Sequence, residues 1–181
     1  MNDIFSLFNL TFLIFTALLF LRAAWHKLAD FTEFQGFLAD YQLLPERLVL
    51  PVAAGLVLLE TAAVALMLMP VTRNAGLLLA AALLLLYAMA IGINLQRGRR
   101  QVECGCGGAP QLLSGSLLIR NGVLTLMALS PVLGNMPASY TTRELVATIA
   151  AALTLWALYA LFEQANATRQ AIRTRLQESE S

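Results

Sequence analysis

The chain's two cysteines flank a single glycine in the run Cys104-Gly105-Cys106-Gly107-Gly108. Sulfurs this close in sequence suit thiol and disulfide exchange: a bridge between them closes a small strained ring and is more easily reduced than a structural disulfide. The reactive species is the thiolate, which neighbouring cations favour. Arg97, Arg99 and Arg100 precede the pair and Arg120 follows it, while Glu103 opposes them. Glycines 105, 107 and 108 leave room for another backbone to approach. Three readings stay open on these residues: a redox pair, two inert loop cysteines, and a metal site. The last would need a carboxylate or a second chain, because His26 is the single histidine.

Other polar residues stand out against apolar surroundings. Glu60 falls about twelve residues, roughly 18 Å, into an apolar stretch, near the middle of a bilayer. An ionisable group there is a functional candidate, as a proton acceptor or a quinone contact, or a structural one bonded to a neighbouring helix. Arg22, His26 and Lys27, Asn94, and Arg120 with Asn121 mark helix ends on the side of the cysteines and together would form a polar vestibule. For Lys27 the preferred reading is a side chain that snorkels to the headgroups. Trp25, Tyr41 and Tyr140 read as interfacial anchors.

These residues are spaced by membrane-length segments. Of 181 residues, 59% are hydrophobic and 13% charged, and the mean hydropathy is +0.70. This is the composition of an integral membrane protein. A net charge of +1 with dispersed basic residues gives no sign of nucleic-acid binding. Five stretches approach the ~20 residues a helix needs to cross a bilayer: Ile4 to Ala24, Leu48 to Met69, Ala75 to Leu95, Leu117 to Leu133 and Leu145 to Phe162. The expected fold is therefore all-α, a polytopic transmembrane bundle with a four-helix core and a fifth span. No basic residue precedes the first stretch and no good cleavage site follows it, so it reads as a retained helix.

Between the first two spans, Asp30-Phe31-Thr32-Glu33 forms a capping signal before apolar residues at helical spacing, predicting a short amphipathic interfacial helix. Pro51 is expected in the first turn of the second span. Pro70 to Arg73 should make a tight turn. Thr141-Thr142-Arg143-Glu144 should cap the fifth span after a loop holding Pro131, Gly134 and Pro137. Ala88 and Gly92 should let the third span pack closely. No internal repeat appears, so residues 1–163 read as one bundle and 164–181 as a polar tail that continues the helix and frays.

Five spans place the termini on opposite sides. One side holds the cysteine loop and Arg22, Lys27, Arg47, Arg97, Arg99, Arg100, Arg120, Arg169, Arg173 and Arg175, whereas the other has Arg73 and Arg143. The positive-inside rule then puts the cysteines at the cytoplasmic face.

Several of these residues together resemble a known family. His26-Lys27-Leu28, Asp40-Tyr41-Gln42-Leu43-Leu44-Pro45, Glu60, Asn94-Leu95-Gln96-Arg97-Gly98-Arg99, the Cys-Gly-Cys pair and Arg120-Asn121 occur in an order similar to that of the redox-associated membrane proteins grouped with DoxX, and within them the MauE family of methylamine utilisation. Gly107 departs from the aromatic residue that many such relatives carry. The resemblance implies a bacterial cytoplasmic (inner) membrane protein that supports processing, export or maturation of the methylamine dehydrogenase small (beta) subunit, with the thioredoxin-like protein MauD as partner. Cys104 and Cys106 would be the exchanging pair, with Arg97, Arg120 and Asn121 stabilising the thiolate or positioning the loop. A periplasmic partner would find the cysteines outside, against the arginine count. A failure of the charge rule, a miscounted span or alternating access would each reconcile the two. A non-enzymatic scaffold docking the same partners is the competing role.

Overall fold

The computed structural model describes residues 2–99, 101–105, 111–134 and 140–180. Arg100, Cys106, Gly107, Gly108 and Pro137, and the side chains of Arg173 and Arg175, lie outside the described residues. The described residues form six helices: α1 Asn2–Ala29, α2 Phe31–Asp40, α3 Glu46–Leu68, α4 Arg73–Gln96, α5 Gly115–Leu133 and α6 Thr142–Glu180. Among the described residues there is no strand, and all but α2 are long and apolar enough to cross a membrane. The protein is a multi-pass membrane protein, and the span count read from the sequence holds.

The local signals act where expected, with two shifts of register. The Asp30 side chain accepts a hydrogen bond from the Glu33 N–H at 2.9 Å, starting α2. Thr141 and Glu144 cap α6 reciprocally: the Thr141 N–H donates to Glu144 Oε2 at 2.8 Å, and the Glu144 N–H donates to Thr141 Oγ1 at 3.3 Å. Between α3 and α4 the chain turns at once, with Thr72 N–H on the Met69 carbonyl at 3.1 Å. By contrast, α3 begins at Glu46 behind an extended Pro45 N-cap, so Pro51 lies in its second turn rather than its first. Pro131 belongs to the last turn of α5, buried, rather than to the following loop. The polar tail is helix throughout its described backbone, continuous with the fifth span.

Lipid tails are as apolar as leucine, so helix association in a membrane relies on close packing and polar contacts. A Cβ built on Gly76 of α4 would lie 2.7 Å from the Met67 N and 2.8 Å from the Ala63 carbonyl of α3, so the two backbones touch where the glycine stands. A Cβ on Gly92 would lie 3.9 Å from Leu118 of α5, an ordinary van der Waals contact, so the close approach that requires glycine on α4 is at Gly76 rather than at Gly92. The main core gathers Phe15 and Phe20 of α1, Phe34 of α2, Ala53 and Leu56 of α3, Leu77 and Leu84 of α4 and Leu124 of α5. A smaller cluster of Tyr41, Ile91, Val102, Leu113 and Leu117 closes the cysteine end. α6 packs on α1 and leaves most of its span exposed.

Contacts between Tyr41 and Cys104, and between Gln111 and Glu163, bring the first connection, the cysteine loop and the end of the fifth span to one end of the bundle. Of the basic residues at that end, Arg22, Lys27 and Arg120 are ion-paired with acidic residues. The rule counts Lys and Arg rather than net charge, and the surplus over Arg73 and Arg143 persists without these three. After reduction, the two thiols should therefore resist a membrane-impermeant maleimide in intact cells and react once the membrane is permeabilised. Labelling without permeabilisation would place the cysteine end outside.

Candidate functional site

The limb leaving α4 and the limb entering α5 are clamped together, with Cys104 N–H on the Gln111 carbonyl at 2.9 Å and Leu113 N–H on the Val102 carbonyl at 3.0 Å. Cys104 is disulfide-bonded. Next to it, Gly105 has φ +62°, and a Cβ there would meet Phe37 Cβ at 2.9 Å. Both the left-handed backbone and the contact require glycine, and the contact seats the loop on α2. Tyr41, at the end of α2, is buried and donates to the Cys104 carbonyl at 3.1 Å. Burial raises its phenol to about 12, against the pull of Arg120. The phenol therefore stays a donor across the range in which thiols titrate, a role beyond that of an interfacial anchor.

Arg120 projects from the second turn of α5 and reaches the sulfur, Nη2 to Cys104 Sγ being 3.9 Å. Its other terminal nitrogen, Nη1, donates to Glu163 Oε1 at 2.9 Å. Glu163 also accepts from Arg22 Nη1 at 3.0 Å on Oε2 and from the Tyr159 hydroxyl at 2.8 Å on Oε1. One carboxylate of α6 thereby ties α1 to α5. The same segment holds the loop, because Gln111 Nε2 donates to the Glu163 carbonyl at 3.0 Å and Leu112 N–H donates to Gln170 Oε1 at 2.9 Å. Arg22 also lies 5.9 Å from the Trp156 ring centroid.

A second cluster lies deeper. Lys27 and Glu60, both essentially fully buried, form an ion pair. The Tyr87 hydroxyl donates to Glu60 Oε1 at 2.6 Å and accepts from Lys27 Nζ at 3.3 Å. Lys27 thus points inward to a counter-charge instead of snorkelling outward. Taken singly, Lys27 reads as a snorkelling side chain and Glu60 as an isolated acid, whereas two opposite charges on adjacent spans neutralise one another inside. Breaking a buried pair from one side typically costs about 3–5 kcal/mol. A cavity of about 40 Å3 lined by Glu60, Tyr87, Asn121, Arg120 and Glu163 lies between the clusters. Glu60 Oε2 and Asn121 Nδ2 have no protein partner.

The expected vestibule is thus assembled in part. Arg22, Arg120 and Asn121 join it, while His26 is exposed and outside it. Arg97 donates from Nη1 to the Gln42 carbonyl at 3.3 Å, a brace between α4 and the α2–α3 turn rather than a contact with sulfur. Asn94 is buried at the end of α4, with Nδ2 on the Ala90 carbonyl at 3.1 Å. Cys106 lies outside the described residues. Glu163, Tyr159, Tyr87 and Gln111 were not singled out from the sequence. For Glu163 a signal existed: a carboxylate one turn after Tyr159, at the end of an apolar span, on the arginine-rich side.

The profile "Methylamine utilisation protein MauE" matches residues 5–134, which include the cysteine pair, Lys27, Glu60 and Arg120. The chain belongs to the MauE family. The methylamine utilization protein MauE of Paracoccus denitrificans is 43% identical over 134 residues, covering 71% of this chain and 72% of its own. Those of Paracoccus versutus and Methylorubrum extorquens are 38% and 37% identical, each over 149 residues and 80% of both chains. No solved structure matches. The MauE match ends before α6, so Glu163 lies outside the matched segment while its partner Arg120 lies inside it.

Two outcomes follow for this MauE-family protein. In detergent, Lys27→Met or Glu60→Leu alone should lower stability by about 3–5 kcal/mol, and the double variant should recover most of the loss; thermal unfolding of the four proteins checks this. Arg120→Gln should slow iodoacetamide alkylation of reduced Cys104 at neutral pH severalfold, because the cation beside the thiolate is lost. Arg97→Gln should leave the rate within about twofold, as expected for a guanidinium not in contact with sulfur.

Proposed function

We propose that this protein is a thiol/disulfide exchange protein of the bacterial cytoplasmic membrane that supports processing, export or maturation of the methylamine dehydrogenase small subunit. The observation that carries the reading is the disulfide-bonded Cys104 with the Arg120 guanidinium 3.9 Å from its sulfur. Glu163 holds that guanidinium from behind.

The exchange is simple to balance. A partner thiolate attacks one sulfur of the bridge, the S–S bond breaks, a mixed disulfide forms and the other sulfur leaves as a thiolate. When Cys104 is the leaving group, Arg120 stands where the charge appears, stabilising it as it develops. A second partner thiol resolves the mixed disulfide, so the partner is oxidised and Cys104 and Cys106 are reduced. The reverse sequence uses the same groups. With the cysteines at the cytoplasmic face, the proposed partner is the small subunit before its export or a thioredoxin-like protein on that side; maleimide labelling from outside would instead make it a periplasmic thioredoxin-like protein such as MauD. Gly105, pressed on Phe37, keeps the backbone beside the sulfur free of a side chain.

Cys104→Ser and Cys106→Ser, singly and together, should abolish production of mature small subunit in cells while the protein is still inserted, as judged by membrane fractionation and immunoblot. Normal maturation in the double variant would overturn exchange and leave a docking scaffold. In that case substitutions on the exposed face of α2 would do the damage.

A further inference from the structure

An apolar slot of about 260 Å3 opens beside Cys104, and Glu163 is not among its lining residues. Phe34, Phe37 and Leu38 of α2, Tyr41, Val52 and Leu56 of α3, Leu86 and Ala90 of α4, and Cys104 with Gly105 form its walls; its polar side chains are Lys27, Tyr87 and Tyr41, the last with its hydroxyl already on the Cys104 carbonyl. Aromatic and aliphatic walls with a few convergent polar atoms suit a flat, largely apolar ligand. Leu86 is 43% exposed, so the rim reaches the bundle surface, where a lipid tail can pass.

The polar groups are specific about what they accept. An ammonium has three N–H donors. Lys27 directs one at Glu60 and one at the Tyr87 oxygen, which leaves a third for a ligand. The same ammonium lies 5.0 Å from the Phe34 ring centroid and 4.8 Å from that of Tyr87. A hydrocarbon chain would make no use of a buried donor, whereas a ring carbonyl would. Cys104 in the wall adds a redox centre in contact with whatever fills the slot.

The geometry points to this slot as the binding site of an isoprenoid quinone that exchanges electrons with the Cys104 disulfide, its carbonyl accepting a hydrogen bond from Lys27 and its tail leaving past Leu86. This rests on the exchange reading above and names its electron acceptor. In the oxidising direction two S–H bonds of the reduced pair break and one S–S bond forms. Two electrons and two protons pass to the quinone, giving a hydroquinone with two new O–H bonds. Lys27, backed by Glu60 and Tyr87, gives one proton to the carbonyl nearest it and is reprotonated by one of the thiol protons through solvent, while the other thiol proton reaches the far carbonyl oxygen.

The test uses the full chain in nanodiscs of defined phospholipid with a photoreactive azido-ubiquinone carrying a short tail. Label should map to α2 and to the Leu86–Ala90 segment and be competed by unlabelled ubiquinone. Val52→Phe and Leu86→Trp, which narrow the slot from opposite walls, should each reduce it at least tenfold in protein that remains monodisperse. The Cys104→Ser, Cys106→Ser protein should still label, which separates this site from the exchange reaction. Reduced wild-type protein mixed with ubiquinone should form one hydroquinone per disulfide, and the Lys27→Met, Glu60→Leu double variant, which recovers stability, should slow this step. Label competed equally by fatty acid, or undiminished in both slot variants, would identify an acyl-chain groove and overturn the quinone site. Quinone labelling without hydroquinone formation would overturn the redox role.

Discussion

A charge inside a bilayer needs a partner, and the arrangement of this bundle follows from how its charges find theirs. Two carboxylates, Glu60 and Glu163, collect three cations from other helices: Lys27 on α1, and Arg22 and Arg120 on α1 and α5. Because α1 carries a cation to each carboxylate, it is the helix through which α3, α5 and α6 are oriented about one another. Apolar contacts in lipid give little preference for one rotation of a helix over another. Ion pairs with fixed partners supply that preference, at a desolvation cost that makes them better at specifying an arrangement than at stabilising it.

The same pairs set the character of the cysteine end. Arg120 has one terminal nitrogen committed to Glu163 and the other turned toward sulfur, so its position beside Cys104 is determined by a helix remote in sequence. Tyr41 fixes the Cys104 carbonyl. The disulfide thus sits between a cation and an apolar slot, two surroundings with different demands: the first favours a thiolate, and the second favours an uncharged ligand.

Much of this was legible in the sequence because hydropathy and capping act locally. The five spans, the α2 helix started by Asp30 and the Thr141–Glu144 cap each depend on a few adjacent residues, and each appears in the structure near its expected bounds. The deviations at Pro51 and Pro131 are small, since a proline read as a boundary marker can also be carried inside a helix whose ends are set by other groups. Pairing was not legible in the same way. Lys27 and Glu60 are 33 positions apart and Arg120 and Glu163 are 43 apart, and nothing in a single sequence says which buried charges share a height and a face. Hence the sequence marks Glu60 as unusual without its partner, and points Lys27 to the headgroups and Tyr41 to the interface. Arg97, conspicuous by its nearness to the cysteines in sequence, turned out to brace a different turn.

The last helix is peripheral by packing, resting on α1 with most of its span facing outward, and the matched family segment stops short of it. Yet it brings the carboxylate shared by Arg22 and Arg120 and the acceptors that hold the limb at Gln111 and Leu112. A bundle ending at α5 would keep its core and lose the counter-ion for Arg22 and for the Arg120 guanidinium beside the disulfide. The fifth span is better described as a keystone placed from outside: the part that contributes least to the interior decides whether the arginine next to the sulfur has a settled position.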